Sequence, residues 1–304
     1  MTGPLLLLGT FVVMVWPIRV FLLKATWTSN TPRAAVILWQ SLGLAAGIAL
    51  FGGCIELAAR ISSNPGPRRS LTDVSRSLPV TTVSRLTPNQ EFGLTAGLIL
   101  GAIVIGTLLT RAVGLRRARA YHRQLLDLVA YERREIPDAL IIDDRRATAY
   151  SLPGRHGRIV VSSGAVAALA SDELAAVLAH ERAHVTAHHD LVLFPFETLA
   201  SRAPRSHALA AVAEDVRTLL EMAADDYALS VSDPCTFARA LCKLAGDGDP
   251  SLSFGSDSTA VSRRAQRALD HHRRAGLIAV GSGLSSFGVL ALPIVAIFVA
   301  SGGR

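Results

Sequence analysis

The chain has 304 residues, half of them apolar and only 18% charged, with a mean hydropathy of +0.37. That composition excludes a disordered polymer and argues against an ordinary water-soluble enzyme, whose surface needs roughly a quarter of its residues charged. Lys and Arg outnumber Asp and Glu by 31 to 24, a net charge of +7, which fits nucleic acid, an anionic membrane surface or topology signals until position decides among them.

Four apolar runs, at about 1.5 Å per residue, are long enough to cross a hydrocarbon core of about 30 Å as helices: 5–23, 34–59, 92–110 and 276–300. The chain therefore divides into a membrane domain over 1–110 with three spans, a soluble domain over 111–275, and a fourth span with a short tail over 276–304. The first run reads as a span and not a cleaved leader, because no basic residue precedes it and Arg19 and Lys24 lie at its far end. Arg111, Arg116, Arg117, Arg119 and Arg123 follow the third span, and Arg263, Arg264, Arg267, Arg273 and Arg274 precede the fourth. Basic flanks of this kind stay in the cytoplasm, so the soluble domain is expected there in a multi-pass protein of the cell membrane. The 60–91 loop dissents with five arginines of its own. Gly43 and Gly47, and Gly93, Gly97 and Gly101, recur every four residues. That spacing lets helices approach closely within a bundle or between two copies, a homodimer being one such assembly. Cys54, Cys235 and Cys242 are too few and too scattered for a disulfide framework.

Within 111–275 the pattern predicts an α+β domain: a basic helix over 116–131, strands near 139–143, 147–152 and 158–162, and then mostly helix. Pro153, Gly154 and Gly157 mark the turn between the last two strands. The next helix is expected to start with Ser171 as N-cap, carry Asp172 and Glu173 in its first turn, and run through His189. On it lies His180-Glu181-Arg182-Ala183-His184. Two histidines four apart stand one turn above each other, so both imidazoles can reach one ion, and Glu181 can lean toward its open side without binding it. This is the H-E-x-x-H pattern of zinc hydrolases. Two sources of a third ligand remain open. Asp190 lies on the same stretch, but Ala187 stands where a glycine would be needed to swing the chain back. Glu221 belongs to Glu221-Met222-Ala223-Ala224-Asp225, inside a helical stretch over 208–229. There Glu221 can bind the ion while Asp225 accepts a hydrogen bond from a ligand histidine.

The order of three spans, an H-E-x-x-H domain and a fourth span resembles the BlaR/MecR-type membrane zinc peptidases, signal transducers that control repressors. The likeness is carried by 151–155, 158–164, 172–184 and 221–228. It implies a gluzincin-type fold with one zinc ion per chain, bound by His180, His184 and Glu221, with Glu181 as catalytic base and Asp225 as the acid behind the ligands. The implied partners are the lipid bilayer and a protein substrate, a BlaI/MecI-like repressor. With only four residues after the fourth run, Arg304 the last of them, the expectation is a member without the external penicillin-binding domain of the antibiotic-sensing ones.

The expected chemistry is amide hydrolysis, with the ion activating water and polarising the carbonyl and Glu181 moving the proton. Strand 158–162 is expected to take an extended substrate as an added strand. For a second oxyanion donor, Tyr227, His188, His189 and His207 are candidates, each more in keeping with a structural or surface place. Two readings compete with a regulatory protease: a quality-control protease similar to HtpX, and a non-catalytic membrane sensor. Direct nucleic-acid binding is not expected, because residues 124–262 hold 12 basic and 20 acidic residues, net −8. The positive charge resides at the membrane flanks.

Overall fold

The computed structural model describes Leu22 and residues 25–61, 88–154, 157–247 and 258–270. The first apolar run, Leu22 apart, and the whole of the fourth lie outside them, as does most of the 60–91 loop. The chain divides into two compact units, Met1–Thr110 with Ile278–Arg304, and Arg111–Leu277.

In the first unit, α1 (Pro32–Ile61) opens on a proline at its first position, where a missing N–H costs nothing. Helix α2 (Pro88–Val129) has 42 residues and joins the third apolar run to the basic stretch without a break. Pro32–Gly53 and Thr95–Val129 are each long and apolar enough to cross a membrane. Leu98, Ile99, Ile103 and Leu109 on α2 are exposed, a surface suited to an apolar surrounding.

The second unit is α+β and mostly helical. After α2 come β1 (Tyr131–Arg133), β2 (Ile136–Ile142), β3 (Ala149–Leu152) and β4 (Arg158–Ser162) in a sheet of order β1-β2-β4-β3. Tyr131, expected at the end of a helix, is the first residue of β1, and β2 starts three residues earlier than its apolar core suggests. The β2–β4 pair is parallel, and the β1–β2 and β3–β4 pairs are antiparallel. Strand β4 is central and covered on both faces, which explains its unbroken run Ile159-Val160-Val161. Ile159 and Val161 pack with Ile141, Leu174 and Val177 on one face, and Val160 packs with Leu126 and Leu152 on the other. With a neighbour along each edge, β4 has no free edge for a substrate strand, contrary to expectation. The open edge on this side belongs to β3.

Helix α3 (Ser163–Ala168) follows β4 directly. Ser162 Oγ accepts from Ala165 N and Thr148 N and donates to Arg146 O, zipping the turn to the loop before β3. A Cβ on Gly164 would lie 2.1 Å from the Arg145 carbonyl oxygen, a backbone atom that cannot swing aside. Gly164→Ala is therefore expected to lower the unfolding free energy by roughly 1–3 kcal/mol, as overpacking does. A melting point equal to that of the wild type would show that the loop yields freely.

Helix α4 (Ser171–Thr186) carries the histidine motif. Its N-cap is Ala170, not Ser171, and Glu173 Oε2 accepts from Ala170 N at 2.9 Å. Then come α5 (His189–Arg202), α6 (His207–Leu229), α7 (Pro234–Asp247) and α8 (Ser258–Leu269). Small side chains let these helices approach closely: Ala176 and Ala179 of α4 meet Ala228 of α6, Phe237 of α7 and Ala268 of α8. Lys243 of α7 binds the buried Glu173 carboxylate at 2.5 Å, and its ammonium holds that group below the usual range.

Candidate metal centre

Helices α4 and α6 face each other with their motifs in register. One turn apart on α4, His180 Nε2 and His184 Nε2 lie 3.1 Å from each other. From α6, Glu221 places Oε2 3.5 Å from His180 Nε2 and Oε1 3.5 Å from His184 Nε2. The three residues form a group able to hold a metal ion. Zinc bonds of 2.0–2.2 Å in tetrahedral geometry separate ligand atoms by about 3.4 Å, so the spacing of this N, N, O set fits zinc.

Behind this group, Asp225 is 1% exposed and its Oδ1 lies 3.1 Å from His180 Nδ1. The buried Phe237 ring stacks on the other side of His180, with centroids 6.1 Å apart. Glu181, next along α4, is half-buried, with the Ser151 side chain of β3 beside it. Burial raises its pKa, with Glu221 adding to the rise and His180 opposing it.

Two residues here have places that the sequence reading did not give them. Arg264, one of the membrane-flank arginines, reaches from α8 into the site: its Nε and one terminal nitrogen grip both oxygens of Asp225 at 2.8 and 2.6 Å, and the other terminal nitrogen lies 2.9 Å from Glu221 Oε2. Burial alone would raise both carboxyls, but the guanidinium outweighs it and holds both below the usual carboxylate range. The signal was present: Val261, Arg264, Ala265 and Ala268 share one face of α8, and a cation on an apolar face calls for a buried anion. The second is His189, expected within the motif helix or at the surface. It is buried, begins α5, and contacts His184.

The field at the two histidines differs. Burial opposes charge on His180, yet Asp225 and Glu221 overcome it and pull its pKa up to about 10. Groups that favour a proton at that spot favour any cation there, a metal ion included. His184 is pushed down to about 4, chiefly by burial, which suits a neutral ligand.

Asp190 is not brought into the group. It forms a 2.8 Å ion pair with Arg119 of α2, which leaves Glu221 as the third member. Tyr227 packs against the α4–α7 cluster, His188 is exposed in the turn after α4, and His207 starts α6.

A search of curated proteins and a search of solved structures returned no match to the chain. Residues 115–231 match the family model described as peptidase family M48, so the unit that brings His180, His184 and Glu221 together is similar to the metallopeptidase domain of that family.

Proposed function

We propose that the chain is an integral membrane zinc metalloendopeptidase of the BlaR/MecR signalling type, with four spans and a cytoplasmic gluzincin-type domain that cleaves a transcriptional repressor, itself, or both. The observation that carries the peptidase reading is the convergence of His180, His184 and Glu221, with Asp225 behind them and Glu181 beside them. Bound zinc would activate water and polarise the scissile carbonyl. The protein's own residues do the rest. Glu181 takes the proton and returns it to the leaving amine, and Asp225 fixes the His180 ring. The outer edge of β3, the strand that carries Ser151 next to Glu181, is the one at which an extended substrate would pair. The acidic core of the domain opposes nucleic-acid binding and leaves a DNA-binding protein as substrate open.

The regulatory assignment rests on the order of apolar runs, three before the domain and one after. The match to peptidase family M48 supports a metallopeptidase and does not test the BlaR/MecR assignment against a quality-control protease similar to HtpX. The two separate in cells carrying Glu221→Ala in place of the wild type. A regulatory protease leaves one cytosolic DNA-binding protein uncut on induction, the product of the neighbouring gene being the first to assay. If that protein is processed normally and misfolded membrane proteins accumulate instead, the quality-control reading takes its place. If neither changes, the chain acts without catalysis.

A further inference from the structure

His184 needs more than a position on α4 to present Nε2 to an ion, because an imidazole can turn either nitrogen forward. The nitrogen turned away is held by whatever it meets. For His180 the Asp225 carboxylate lies 3.1 Å from that nitrogen. On a continuing α4, residue 189 would stand five positions past His184, about 140° around the helix, with its ring pointing elsewhere. The chain does not continue. His188 adopts φ 50° and ψ 44°, left-handed and without a glycine, at a cost of roughly 1–3 kcal/mol. That turn folds His189 back over His184, with Nδ1 to Nδ1 at 3.0 Å, ring centroids 4.8 Å apart and planes at 88°. His189 is 8% exposed, so water does not compete freely for the contact.

We propose that His189 is the positioning residue of His184: a neutral imidazole whose Nδ1 accepts the His184 Nδ1 proton, fixing the tautomer that leaves His184 Nε2 free to face His180 and Glu221. Two ring nitrogens at 3.0 Å share one proton. Were His189 the donor, the His184 proton would sit on Nε2 and block it. A ring serves here better than a carboxylate, since Glu181, Glu221 and Asp225 already crowd the site with negative charge against the guanidinium of Arg264. The left-handed His188 is then the backbone device that delivers the acceptor. This inference rests on the metal-centre reading above.

The test uses the full-length protein in lipid nanodiscs. Zinc affinity is measured by chelator competition and the ligand field by the visible spectrum of the cobalt form. His189→Phe keeps the ring shape without an acceptor, and His189→Gln offers an amide oxygen. The expected result is a ten- to hundred-fold weaker zinc affinity and an altered cobalt spectrum for His189→Phe, with substantial recovery in His189→Gln. In the wild type, long-range proton–nitrogen spectra should show His184 protonated at Nδ1 and bound through Nε2. That assignment needs no substitution, so it decides the matter even if His189→Phe fails to accumulate. Binding through Nδ1, or zinc affinity within twofold of wild type in His189→Phe, overturns the inference. A wild type that binds no zinc overturns the metal-centre reading, a distinguishable outcome.

Discussion

Glu181→Gln is expected to keep its zinc and to lose peptide hydrolysis by roughly 10²–10⁴-fold, the usual contribution of a positioned proton-transfer group. The side chain lies one residue beyond His180, about 100° around α4, beside the metal group and outside it. Burial raises its pKa, bringing it closer to the value at which a carboxyl both takes and returns a proton near neutrality. An amide of the same shape preserves packing against β3 and can do neither. Zinc content and cleavage are to be measured on the same preparation. Hydrolysis within tenfold of wild type in a variant that retains zinc would assign the proton transfer to another group.

Arg264→Gln is expected to destabilise the second unit by about 3–5 kcal/mol, the range found when one partner of a buried ion pair is removed. The loss falls on Asp225, 1% exposed and gripped on both oxygens, and on Glu221. Arg264→Lys should fall between the two, keeping the charge but not the planar fork. The pH dependence has a definite sign. Asp225 is held below its unfolded value, so the pair stabilises the protein above about pH 4 and that contribution fades as the pH drops toward the folded value. The stability gap between wild type and Arg264→Gln should therefore narrow in acid. A gap that stays constant from pH 7 to pH 3 would mean that the arginine acts through packing alone.

How much of this was legible beforehand varied with the range of the interaction. Motif and period are local, so the pattern from His180 to His184, the acid pair Glu221 and Asp225, and the strand ending at Ser162 could be read directly. Strand order is not local. Nothing in 158–162 states that β3 returns along its free side, although a strand apolar at three consecutive positions is better suited to a central place than to an edge. Helix ends were misplaced where the stop signal was unconventional, as at His188, which turns left-handed without being glycine or asparagine. Arg264 was assigned to membrane topology because clustered arginines near an apolar run have that ready explanation. Its place on the apolar face of α8 was the contrary sign.

The clamp on Asp225 comes from 39 residues further along the chain, and Phe237, which backs His180, also follows the 115–231 segment that matches the peptidase family. A growing polypeptide thus presents both histidines and Glu221 well before it presents the cation that neutralises the acids behind them. Domains take shape as their parts emerge during synthesis. The candidate metal centre is accordingly complete only once α8 has emerged, and a copy stopped before α8 carries His180, His184 and Glu221 without the cation that balances Asp225.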